Sequence, residues 1–267
     1  MRTYYSVWRL RMATGLQYRA AALAGVSTQM FFGFLFIMIM AAFYSHASTP
    51  APMSLSEVTA YIWLQQAFLV FIMLWYRDSD IFQLITKGNI AYELCRPCGI
   101  YEFWYAKLLA MRLSSALLRC LPILVIAAVL PRPFRLIPPP DAAALLLFVG
   151  ALVLGLLVLV AISMLIYISV FWTMSPTGST LLFAVAGEFL AGMVIPVPLM
   201  PQWLQQVTYA LPFRWTADFP FRVYSGQIGS AEALWGMAAQ LGWLFALVTI
   251  GKWLLRKALR QVVVQGG

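Results

Sequence analysis

Residues 142–172 run for 31 positions without one charged side chain, and that stretch alone excludes most folds open to a chain of this size. As a helix it would extend about 46 Å at 1.5 Å per residue. That exceeds a hydrocarbon core of about 30 Å, so the segment is expected to cross a bilayer with tilt or protrusion. It has company: apolar stretches at 20–44, 56–76, 103–130, 177–195 and 231–255 complete a set of six. Of the 267 residues 63% are hydrophobic and 10% charged, whereas soluble domains run at about 45–50% and about 25%. A chain this small has too little interior to bury the excess. Disorder, a disulfide scaffold and a cytosolic enzyme are excluded, and an all-α integral membrane protein with six transmembrane helices is expected.

The formal charge of +9 does not point to nucleic acid, because the basic residues form no dense patch and alternate with apolar spans. They act instead as topology signals with affinity for anionic lipid headgroups. Twelve of the 18 fall on one side: Arg2, Arg9, Arg11, Arg19, Arg77, Lys87, Arg96, Lys107, Lys252, Arg256, Lys257 and Arg260. Arg132, Arg135, Arg214 and Arg222 fall on the other, and Arg112 and Arg119 lie inside the third span. Both termini are therefore assigned to the cytoplasm. Residues 1–19, with Tyr4, Tyr5, Trp8 and Tyr18 among arginines, read as an interfacial helix. Its face of Tyr5, Trp8, Met12 and Leu16 is interrupted by Arg9. Ser45-His46-Ala47 has cleavage-like small residues, but the run before it is too long for a signal peptide. Cys95, Cys98 and Cys120 imply no disulfide framework, and the Cys95/Cys98 pair lacks the context of a redox or metal site. Small residues four apart, at Ala21/Gly25, Ala151/Gly155, Gly187/Ala191 and Ala238/Gly242, allow close helix contacts.

Two connecting segments carry more information. Residues 81–97 form a short amphipathic element ended by Pro97, within a cytoplasmic loop spanning 77–102. After the fifth span, Gly192-Met-Val-Ile-Pro196 ends the helix, Pro201 is suited to open another, and Pro212 ends that one. In between, Trp203, Leu204, Val207 and Leu211 share one arc, with Gln202, Gln205, Gln206 and Tyr209 opposite.

At these two places the chain resembles the permease subunits of the type-2 ABC exporter family. The matches are Gly88 followed by Leu94-Cys-Arg-Pro97 in the first loop. In the second they are Gly192, Pro196, Pro201, Trp203-Leu204, Leu211-Pro212-Phe213, Pro220 and Gly226. The resemblance implies a coupling helix in residues 81–97, with Gly88, Glu93, Leu94, Arg96 and Pro97 at an ATP-binding subunit. It also implies short helices re-entering the outer leaflet within 196–230, built on Pro196, Pro201, Trp203, Pro212 and Phe213. The partners it implies are two ABC ATP-binding subunits and a second permease, identical or homologous, in the inner membrane of a bacterium. The sequence contains no GxxxxGK[ST] loop, so ATP and Mg are expected on the partner subunit, with no cofactor, metal or catalytic residue in this chain.

Arg112, Arg119 and Glu188 remain. A charge at the centre of a span costs about 2.5–3.5 kcal/mol on insertion scales, so each needs a partner or an aqueous cavity. Counted inward from the span starts, the three lie at comparable depth. Glu188 either pairs with an arginine or lines a transport path; proton coupling is disfavoured because one carboxylate is a poor relay. The leading expectation is an exporter half moving an amphiphilic, drug-like, lipid or peptide cargo. The alternatives are the substrate-binding membrane subunit of an importer and, further off, a membrane-embedded lipid-modifying enzyme, for which the sequence offers one His and no paired carboxylates except Asp78 and Asp80.

Overall fold

The computed structural model describes residues 2–17, 19–46 and 50–261, and every regular element among them is a helix. In chain order these are α1 (Arg2–Gly15), α2 (Arg19–His46), α3 (Leu55–Ala67), α4 (Leu69–Ile72), α5 (Ser79–Thr86) and α6 (Ala91–Leu94). Then come α7 (Ile100–Val129), α8 (Ala142–Thr173), α9 (Pro176–Leu190), α10 (Gln202–Tyr209), α11 (Asp218–Tyr224) and α12 (Ser230–Leu259), with 3-10 turns at Val197–Leu199 and Phe213–Thr216. Tyr18, Ala47 and the side chains of Arg2 and Arg19 lie outside the described residues.

Among the described residues four helices are long and apolar enough to cross a bilayer: Ala20–His46, Ile100–Val129, Ala142–Thr173 and Ser230–Leu259. Asp141 starts α8 by accepting a hydrogen bond from the Ala144 N–H at 2.6 Å, which supplies one of the donors a helix N-terminus leaves unpaired. The expected second and fifth spans depart from single long helices. The second breaks at Phe68 into pieces of 13 and 4 residues and stops at Ile72 rather than Tyr76. The fifth holds 15 helical residues. It ends because Gly192 adopts φ +80, a left-handed conformation that costs glycine little.

Contacts fix the direction of each helix. Tyr44 donates to the Met53 carbonyl at 2.7 Å while Phe34 packs edge-on against Trp63, so α3 runs antiparallel to α2. Arg119 lies beside Gly25 and Phe134 beside Phe34, so α7 runs parallel to α2. Helix α12 runs parallel to α8, with Met237 beside Gly150 and Gln240 bonded to the Ala151 carbonyl. Helix α9 runs opposite to α3, since Gly187 meets Leu74 and Gly192 meets Tyr61. Helix α3 is deeply enclosed, with every residue from Val58 to Ala67 buried.

Helix α1 ends at Gly15 and packs along the first half of α7. Its packed face is Tyr4 and Val7 against the core, with Arg11 in the ion pairs described below. The Tyr5–Trp8–Met12–Leu16 stripe is not that face: Tyr5 and Leu16 are exposed, as is Leu10. Three of the four small-residue pairs bring a glycine against a neighbour, at Gly25, Gly155 and Gly187, whereas Gly242 faces open space.

Candidate functional site

The expected coupling element is two helices joined by a turn rather than one. Helix α5 starts at Asp78, whose Oδ1 accepts the backbone N–H groups of Asp80 (2.9 Å) and Ile81 (3.4 Å). Ile81, Phe82 and Ile85 form its buried face, and Phe82 packs on Tyr167 of α8 with ring centroids 4.5 Å apart. Gly88, at φ +72, turns the chain with nothing near enough to meet a side chain there. Beyond it, Tyr92 is 73% exposed, and Leu94 and Pro97 are also exposed. Glu93 is buried and pairs with Arg96 at 3.3 Å. Arg96 in turn lies over the Phe103 ring at 4.7 Å. Glu93 and Arg96 therefore tie the α6 turn to α7, while Gly88, Leu94 and Pro97 form the outward surface.

A cluster that sequence reasoning missed holds this loop in place. Lys107 Nζ of α7 lies 2.9 Å from Asp78 Oδ2 and 3.5 Å from Asp80 Oδ2. Arg11 of α1 reaches Asp80 at 3.2 Å and Asp78 at 3.7 Å. The Asp78 backbone N–H donates to the Tyr167 hydroxyl at 2.6 Å. Asp78 and Lys107 are buried and Asp80 is 62% exposed. The hydrogen bond from Arg11, with Lys107 adding its charge, holds the Asp80 carboxyl below its ordinary range. Four helices, α1, α5, α7 and α8, thus meet at one charge cluster. The one signal in the sequence is Asp78 followed by an amphipathic run, a helix-start pattern. Nothing local names Lys107 or Arg11 as its partner.

The intramembrane charges do not pair with one another: no ion pair joins Glu188 to Arg112 or Arg119 among the described residues. Arg112 is fully buried and takes backbone partners. Its guanidinium donates to the carbonyls of Met73 (2.8 Å), Tyr76 (3.0 Å), Val70 (3.2 Å) and Phe71 (3.5 Å), and to Ser163 Oγ (3.2 Å). These carbonyls end the α3–α4 path, so one side chain serves as the C-cap of a broken span. It also places a positive charge where aligned peptide dipoles are negative. This explains why the helix stops early: Arg112 gives the carbonyls a partner other than the next turn. Arg119 has no such partner and lines a cavity beside Gly25. Glu188 is half-buried, and its Oε1 has no hydrogen-bond partner among the described residues.

The segment after α9 folds back into the bundle. The carbonyls of Trp215 and Thr216 lie against Gly155, midway along α8, close enough that a Cβ there would sit 2.9 Å from the Trp215 oxygen. Gln240 of α12, fully buried, donates to the carbonyls of Ala151 and Trp215 at 2.8 Å each. Phe219 presses on Gly236. Asp218, also fully buried, accepts from the Tyr61 hydroxyl (3.4 Å) and the Val197 N–H (3.3 Å), with Arg222 at 3.8 Å. Pro196 precedes one 3-10 turn, Pro201 precedes α10, and Pro212 precedes the 3-10 turn containing Phe213, which packs on Gly187. Helix α10 ends at Tyr209, before Pro212. Trp203 and Val207 of its apolar face are exposed, as are Gln202, Gln206 and Tyr209. Gln205, expected on the wet face, instead donates inward to the carbonyls of Pro198 and Met200.

Compared with known proteins, no curated protein and no solved structure matches this chain. The family model described as "ABC-2 family transporter protein" matches residues 29–266. That range takes in the clustered loop, the Arg112-capped helix and the folded-back segment, and the chain belongs to the ABC-2 transporter family as a membrane permease.

Proposed function

We propose that this permease is half of an ATP-driven exporter, pairing with an identical or homologous permease and two ABC ATP-binding subunits that carry ATP and Mg. It moves an amphiphilic cargo out of a bacterial cytoplasm. Six crossings are supported by helix direction. Helices α2 and α7 run parallel, so the chain returns between them through α3 and α4, about 27 Å of path. Helices α8 and α12 also run parallel, and α9 with the folded-back segment makes that return. The charge distribution supports a cytoplasmic position for both termini and α5–α6, and an outer-leaflet position for α10–α11.

The observation that carries the reading is the Asp78–Asp80–Lys107–Arg11 cluster. A loop that only connects two spans needs no buried ion pair, whereas one that receives force from an ATPase needs rigid attachment to the helices it moves. Gly88, Tyr92, Leu94 and Pro97 are the docking surface, and Glu93 and Arg96 position it. Residues Arg112, Arg119 and Glu188 supply intramembrane polarity close to the path. The test is export from inverted membrane vesicles containing the permease and its ATP-binding subunit. ATP-dependent cargo uptake that Asp78→Ala abolishes, with the complex still assembled, supports the proposal. Cargo movement indifferent to ATP refutes it.

A further inference from the structure

A cavity of about 350 Å³ opens where α1, α2 and α7 meet, toward the small end of ligand-site volumes of about 300–1,000 Å³. Its polar lining is Arg11, Thr14, Tyr76, Ser114, Ser115 and Arg119, and no carboxylate lines it among the described residues. Arg11 is partly neutralised by Asp80 at 3.2 Å, and Thr14 and Ser114 spend their protons on the Leu10 and Met111 carbonyls. Two donors remain. Tyr76 and Ser115 share one hydrogen bond at 2.6 Å, which leaves one hydroxyl proton free. Arg119 makes no hydrogen bond or ion pair among the described residues, and its guanidinium lies over Gly25, within two turns of the start of α2.

We infer that this cavity binds the phosphate headgroup of an anionic membrane lipid. An unpaired guanidinium inside a span requires an anion, water or the headgroup layer, and a planar guanidinium matches a phosphate oxygen pair. A lipid fits better than a soluble phosphate because the site is amphiphilic. The cavity includes Ala22, Met111 and Leu118, and the same two helices expose Leu23, Leu117 and Leu121 to the surroundings, a surface for acyl chains. The cluster holding α5 shares Arg11 with this cavity, so lipid occupancy sits next to the coupling loop.

The test is native mass spectrometry of the full chain exchanged into mixed micelles of phosphatidylglycerol and phosphatidylcholine. Wild type should retain phosphatidylglycerol about tenfold over phosphatidylcholine. Arg119→Gln should bring that ratio near unity, and Arg119→Lys should keep part of the preference. Ala21→Leu, which narrows the mouth without touching a charge, should also reduce it, so the result does not rest on one variant's folding. Millimolar inorganic phosphate should not displace the lipid. Equal retention of both lipids by wild type, or an unchanged ratio in monodisperse Arg119→Gln, overturns the inference. Displacement by inorganic phosphate overturns the lipid assignment in favour of a soluble ligand. The readout is lipid retention, so it does not depend on the exporter reading.

Discussion

Replacing Arg112 with Met keeps most of the side-chain volume and removes every donor. The guanidinium serves five acceptors, two of them at 3.0 Å or less, Met73 and Tyr76. Charged hydrogen bonds contribute about 1.5–3 kcal/mol each, so the two short ones alone amount to about 3–6 kcal/mol. Hydrogen bonds measured inside bilayers are weaker, about 0.6 and at most about 1.7 kcal/mol, which sets about 1–3 kcal/mol for the pair. The ranges meet at about 3 kcal/mol, or roughly two powers of ten in the folded-to-unfolded ratio. Met also relieves the cost of burying a charge, so the deficit comes from the carbonyls left bare at the end of α4. The assay is unfolding by SDS titration in mixed micelles, followed by tryptophan fluorescence. Arg112→Lys should lie between wild type and Arg112→Met, because one ammonium cannot span the carbonyls a fork reaches. Arg119→Met is the control and should change little. Equal losses for Arg112→Met and Arg119→Met, or wild-type stability for Arg112→Met, would refute the capping argument.

The other predictions are shorter. Asp78→Ala removes a helix cap and a buried ion pair and should cost about 3 kcal/mol, against about 0–1 kcal/mol for the exposed Asp80→Asn, measured by the same titration. Because Arg11 depresses the Asp80 carboxyl, that group's contribution is present above the ordinary carboxylate range and lost only as pH falls below it, so unfolding curves at pH 7 and pH 5 should show the same Asp80→Asn difference. Gly192→Ala forces a Cβ to 2.5 Å from the Tyr61 hydroxyl at φ +80 and should destabilise the protein by about 1–3 kcal/mol. Single cysteines at Lys87 and Gln261, in a chain lacking its native ones, should label with impermeant reagents only from the cytoplasm and one at Gln205 only from outside; labelling of Lys87 and Gln205 from one side would sink the six-crossing arrangement.

What was readable in the sequence was local. The uncharged run of 142–172 matches α8, and the apolar lengths of α2, α7 and α12 followed from composition within each segment. Gly192 ahead of Pro196 marked the end of α9. The early stop at Ile72 was not readable, because its cause is an arginine more than 30 residues away whose partners are backbone atoms common to every residue. Gln205 illustrates the same limit on a shorter scale. Its position on the helical wheel suggested water, but the nearby non-helical carbonyls of Pro198 and Met200 lack donors and take its amide. The carboxylates at 78 and 80 are neighbours in the sequence, but their partners, a lysine and an arginine, come from α7 and α1.

These devices converge on one connector. Residues 73–78 join α4 to α5 without helical structure, and such a linker would ordinarily absorb a displacement of the loop before it reached the spans. Here both of its ends are attached to the same helix. Arg112 of α7 holds the carbonyls of Val70, Phe71, Met73 and Tyr76, and Lys107, one and a half turns earlier on α7, holds Asp78 and Asp80. Tyr167 adds a third attachment from α8 through the Asp78 N–H. Displacing α5 relative to α7 would break a buried ion pair, whereas moving the two together keeps it, and the bonds to Tyr167 and Ser163 extend the same attachment to α8. On the proposed coupling role, a force on the outward surface around Gly88 and Tyr92 would reach α7 and α8 as a rigid-body shift, with the linker carried along.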